Sequence, residues 1–207
     1  MIILICPQGI FKALGQVHDM QLWTSAEVRK EFFNRLKISP SLQSRFNNNI
    51  SNLSSLMTDF GAEYKVTDYY ASGLVYRMAD IGERPLSQRI CFDNSFTFKR
   101  FNDRFELRLR LQRRFANITS SELDRMRLRV GYTHIFSKKF STYIKAEYFY
   151  AASIYRRNWD RQRYSAGVRT RIYKVHFLEL FYRYQAEFNR ENPEREYIFG
   201  VGYIVDL

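Results

Sequence analysis

At 207 residues and 24.9 kDa the chain suits one domain, and its mean hydropathy of −0.42, with no run of about 18 uncharged apolar residues, excludes a membrane-spanning helix. Its net charge is +12 and its pI about 9.8, yet the basic residues alternate with Leu, Val and Tyr instead of gathering in a patch beside stacking aromatics, so nucleic acid is excluded as a partner. The 17% aromatic content, 15 Tyr and 18 Phe, fits rings that sit where lipid meets headgroup.

Residues 1–16, MIILICPQGIFKALGQ, read as a signal peptide or truncated leader, with MIILIC as the apolar region and ALGQ as a small-residue cleavage site. A basic start is missing, and the alternative is a first strand. Cys6 and Cys91 are the only cysteines, so cleavage near Gln16 leaves Cys91 alone. Residues 17–207 form a single barrel domain, and no metal or other cofactor is expected.

Period-2 alternation then predicts strands over 20–31, 36–46, 56–66, 69–79, 87–98, 104–115, 125–135, 141–151, 161–172, 175–187 and 196–207. RFELRLRLQRRF (104–115) is the clearest: Phe105, Leu107, Leu109 and Leu111 lie on one face, Glu106, Arg108, Arg110 and Gln112 on the other. Strands of this length match the roughly 9 to 11 residues that a tilted strand needs to cross a bilayer. Short links (FFNRL, Thr67-Asp68, KRFND, FSKKF, IYK) alternate with longer ones (NNNISNLSS, IGERPL, NITSSELD, SIYRRNWD, NRENPER), the rhythm of tight periplasmic turns and longer outer loops. The fold class is therefore all-β, an antiparallel up-and-down transmembrane β-barrel of about 10 to 12 strands. The count of eleven conflicts with the even-number rule for bacterial barrels, so ten or twelve is favoured; parallel closure of the first and last strands, or a barrel left partly open, is a further option.

The last strand, EYIFGVGYIVDL, alternates apolar residues to the chain end, and Gly202, Val205 and Leu207 fit the spacing of the signal read by the outer-membrane insertion machinery. DMQLWTSAEVRKEF, SRFNNNIS, TDFGAEYKV, YIKAEYFY and FNRENPEREYIFGVGY together resemble an uncharacterised domain-of-unknown-function family of Gram-negative outer-membrane β-barrels (family 2490), across about residues 19–207. The resemblance implies the bacterial outer membrane as location and brings no catalytic residues.

Folding the hairpins about their turns matches inward residues. Asp93 falls opposite Arg108 or Arg110, Arg129 opposite Glu147, Glu147 near Arg163, Arg169 opposite Glu179, and Asp59 opposite Arg77, so the lumen reads as an ion-paired ladder. Between 104–115 and 125–135 any register sets Arg108 and Arg110 beside Arg127 and Arg129. Four guanidiniums need carboxylates, water or an anion, which makes this cluster either a paired plug or a site for a small anion or acidic glycan. Tyr155, Arg156, Arg157, Trp159 and Arg161 form the most suggestive loop cluster, since guanidinium suits phosphate and carboxylate, and a solvated loop is its plain alternative.

No GxSxG, HExxH or carboxylate dyad is present, and His134 and His176 fall near the short turns, so catalysis is not expected. Three functions follow: a structural barrel or narrow anion-favouring pore; a binding module whose loops hold a protein, glycan or lipopolysaccharide; and a soluble lipocalin-like barrel. The first two have outer-membrane lipid and lipopolysaccharide as neighbours. The third would bury the leucines and expose the arginines.

Overall fold

A strand with one apolar and one charged face needs an environment for each, and a closed sheet supplies both without leaving an edge. The computed structural model describes residues 18–82, 84–115, 125–153, 156–190 and 192–207. These form eleven strands: β1 (His18–Phe32), β2 (Leu36–Asn47), β3 (Asn52–Lys65), β4 (Tyr70–Ile81), β5 (Arg84–Arg100), β6 (Asp103–Phe115), β7 (Arg125–Ile135), β8 (Phe140–Ser153), β9 (Arg156–Tyr173), β10 (His176–Glu187) and β11 (Arg195–Asp206). Successive strands pair antiparallel, and β1 closes the ring against β11 in parallel, from His18↔Arg195 to Arg29↔Asp206. An up-and-down chain of odd strand number sends its first and last strands the same way, so a parallel seam is its only closure. The preference for ten or twelve strands is thereby corrected to eleven. The leader at 1–16 and the NITSSELD loop lie outside the described residues.

The five turns at 33–35, 66–69, 101–102, 136–139 and 174–175 gather at one end of the barrel, here the short-turn end. Phe33 and Phe101 sit at their tips with φ of 54° and 52°, an unusual conformation for bulky side chains. In the same turns the Lys65 ammonium, 2.9 Å from Asp68, holds that carboxyl below its ordinary range. At the opposite end three expected loops are largely strand. Asn48, Asn49 and Ile50 turn left-handed at φ 52–70°, so β3 already pairs at Asn52, opposite Asn47. Gly82 (φ 64°) turns β4 into β5. The SIYRRNWD segment enters β9 at Arg156, and a bulge between Phe149 and Tyr150 leaves Asp160 unpaired on the other strand. That extra residue interrupts the alternation and hides the strand from a period-2 reading.

Burial runs inside out. Phe60, Leu74, Ile90, Leu107, Leu111, Val130, Ile144, Leu180 and Phe199 are 41–60% exposed on the outer wall, whereas Asp93, Arg110, Glu147, Arg163 and Gln185 are at most 8% exposed. Rings line the outer wall near the turns (Phe98, Phe105, Phe136, Tyr173, Tyr203) and near the opposite rim (Tyr148, Trp159, Tyr164, Tyr182). The lipocalin-like alternative is overturned, because it needs the leucines within and the arginines without. One proline, Pro40, stands in the middle of β2. Its missing N–H coincides with a gap in the β1–β2 register between Glu27↔Ser41 and Lys30↔Ile38.

Candidate functional site: a basic, ion-paired lumen

Every second residue of each strand points inward, so the lumen is written by the charged half of the alternation. It encloses about 1370 Å³, and its described lining holds 22 Arg or Lys against 11 Asp or Glu. The two sides of the ring differ. Strands β1 to β4 intersperse small side chains, Ser25, Ser39, Ser41, Gly61, Ala71 and Gly73, with Arg29, Arg45 and Arg77, while β6, β7 and β9 contribute arginines more densely.

The middle of the arginine wall is set by register. Asp93 lies opposite Arg110 and Glu147 opposite both Arg129 and Arg163, while Arg108 faces Arg129 and Arg110 faces Arg127. Arg110 donates from Nε and Nη2 to the two Asp93 oxygens, both at 2.6 Å, with Arg108 3.7 Å from the same carboxylate. Glu147 is shared by four guanidiniums: Arg163 at 3.0 Å, Arg108 and Arg127 at 3.8 Å and Arg129 at 3.9 Å. A second ladder rung is Asp59, bound by Arg77 through Nε and Nη2 at 2.6 Å each.

Two partners differ from the expectation. Arg129 bonds most closely to Glu106, a diagonal neighbour that reading directly opposed residues misses; Gly131, opposite Glu106, leaves the room. Arg169 stands opposite Glu179, but its guanidinium reaches Asp206 at 2.5 Å and lies 4.2 Å from the centre of the Phe177 ring. The acid comes from β11, the antiparallel neighbour of β10, so Arg169 reaches across β10 to a strand two places away.

The loop cluster is dispersed. Tyr155 lies outside the described residues, Arg156 opens β9, and Arg157, Trp159 and Arg161 ride on the strand. Trp159 points outward against Tyr150, while Arg161 points into the lumen and bonds Glu187. The residue between them, Asp160, is fully buried at 3.4 Å from Arg125 and 2.7 Å from Arg190. Arg190 also meets Glu187 at 2.7 Å, which ties the β10–β11 connection to the barrel rim.

Lumen aromatics leave no trace in the sequence pattern, because one apolar residue on a charged face carries no periodic signal. Trp23 is 3% exposed, with the guanidinium carbon of Arg45 3.6 Å from its ring centre and Arg183 at 4.9 Å. Phe149 is 2% exposed, between Arg127 at 4.7 Å and Arg163 at 4.9 Å. The flat rings extend the arginine wall without adding counter-charge.

Of the C-terminal signal residues, Gly202 faces the lumen beside Ser25, and Val205 and Leu207 close the outer face. His134 and His176 lie on the outer wall near the short turns, His134 2.7 Å from Asp103 and His176 2.6 Å from the Tyr203 hydroxyl. These are interfacial positions, away from the lumen.

The family described as "Protein of unknown function (DUF2490)" matches residues 20–196. Among solved structures, "NanC porin structure in rhombohedral crystal form" is similar with a TM-score of 0.54 at 12% identity, over 80% of this chain and 86% of that one. At that identity the likeness speaks to the barrel fold alone. No curated protein matches the chain.

Proposed function

The chain belongs to the DUF2490 family, and from that premise we propose that it is an outer-membrane β-barrel acting as a narrow pore that favours anions. The observation that carries this reading is the two-to-one excess of basic over acidic side chains around one continuous lumen. Fixed positive charge on a low-dielectric wall concentrates anions and repels cations. The shared carboxylates Asp93 and Glu147 keep Arg108, Arg110, Arg127 and Arg129 folded inward without cancelling their field. On this reading the outer wall meets outer-membrane lipid and lipopolysaccharide, the short turns face the periplasm, and the insertion machinery recognises the β11 end through Gly202, Val205 and Leu207.

Planar-bilayer recording under a KCl gradient tests the proposal. The expected result is a small conductance whose reversal potential reports anion preference, weakened in Arg108→Ala and Arg127→Ala. Absence of current from correctly inserted protein, or a preference for cations, would remove the pore.

A further inference from the structure

Toward the end of the lumen away from the short turns, three arginines stand in one cross-strand row. Arg77 of β4 is opposite Arg89 of β5, and Arg89 is opposite Arg114 of β6. All three line the lumen. Adjacent strands lie about 4.8 Å apart, so like charges directly opposed in this way repel and cost stability.

Arg89 differs from the arginines of the middle tier in its counter-charge. Asp59 engages Arg77 through both oxygens, and Arg125, the nearest arginine of β7, is engaged by Asp160. Arg89 forms neither a salt bridge nor a side-chain hydrogen bond among the described residues, and its Nε is buried without an acceptor. Along the lumen face of β5 its next neighbour is Cys91, 2% exposed, and the first carboxylate after that, Asp93, is committed to Arg110 and Arg108. A forked donor pointing into a solvent-sized lumen, with a guanidinium on either side, has the geometry that planar oxyanions accept.

We infer that Arg89, flanked by Arg77 and Arg114, is a binding site for a small phosphate- or carboxylate-bearing solute. Arg89 supplies the two-pronged hydrogen bond from between Arg77, itself held by Asp59, and Arg114. The middle tier beyond it, with its arginines tied to Asp93, Glu106 and Glu147, acts as a screen and not as the binding position. The inference rests on the proposed pore only in requiring that solute reach the lumen, so the two fail separately.

The test is calorimetric titration of the full chain in detergent micelles at low salt, with inorganic phosphate in one arm and succinate in the other. Heat-modifiable gel mobility verifies folding of each variant. Binding in either arm should weaken at least tenfold in Arg89→Gln and by an intermediate factor in Arg89→Lys, which keeps the charge but loses the fork. It should change less than threefold in Arg169→Gln at the far end of the lumen. The arm that binds identifies the oxyanion. Absence of binding in both arms overturns the site, as does equal weakening in Arg89→Gln and Arg169→Gln, which would mean a diffuse field. Binding without bilayer current would leave the site standing and remove the pore; an anion-selective current without binding would do the reverse.

Discussion

Replacing Glu147 by Gln should be among the most damaging single changes in the lumen. Four guanidiniums share that carboxylate, one at 3.0 Å and three at 3.8 to 3.9 Å. At an effective dielectric of about 20 a unit pair at 4 Å is worth about 4 kcal/mol. Electrolyte in the lumen, with a Debye length of about 8 Å at physiological ionic strength, reduces each contribution. Stranding the partners of a buried ion pair costs about 3–5 kcal/mol, and the near-complete burial of Glu147, 6% exposed, places it in that range. Urea unfolding from phospholipid vesicles should therefore show a loss of about 3–5 kcal/mol. Adding Arg127→Gln should return at least about 1 kcal/mol, because contacting residues couple by about that much or more. A loss below about 1 kcal/mol, the worth of an exposed pair, with no recovery in the double variant, would refute the shared-carboxylate account.

Other substitutions probe the wall and the rim. Leu109→Arg, at mid-strand on the outer face opposite Leu128 and Asn94, should destabilise the inserted barrel by about 2–4 kcal/mol in the same assay; a harmless Leu109→Arg beside a damaging Arg110→Leu would mean that the faces are reversed. At Gly200 an added Cβ would collide with the Phe181 ring, so Gly200→Ala should cost about 1–3 kcal/mol, relieved when Phe181→Ala is added. Asp160→Asn removes the charge between Arg125 and Arg190, and limited proteolysis should then nick residues 188–194 faster while the strands stay protected.

Much of the barrel is legible in the sequence because alternation is both the folding rule and the signal. RFELRLRLQRRF predicts β6 to within one residue, and Asp93 falls beside Arg108 and Arg110 from turn position alone. What escapes is whatever departs from strict opposition or strict period. Glu106 reaches Arg129 along a diagonal, and Arg169 turns from Glu179, directly opposite, to Asp206 two strands away on β11, a contact that a reading of opposed pairs does not contain. The bulge at Asp160 adds one residue to β9 and makes a strand look like a loop, which is why a period-2 reading places Arg157, Trp159 and Arg161 in an exposed cluster. The Arg77, Arg89 and Arg114 row was legible in principle, since two successive registers generate it. It becomes conspicuous only once the acids elsewhere in the lumen are assigned to other arginines.

The central claim is that the leucine face meets lipid and the arginine face meets the lumen. Cell fractionation with gel analysis of the unboiled and boiled protein tests it directly. The protein should sediment with outer membranes, require detergent for extraction and migrate faster on the gel before boiling than after. A soluble monomer that needs no detergent and shows no heat-dependent mobility would contradict it.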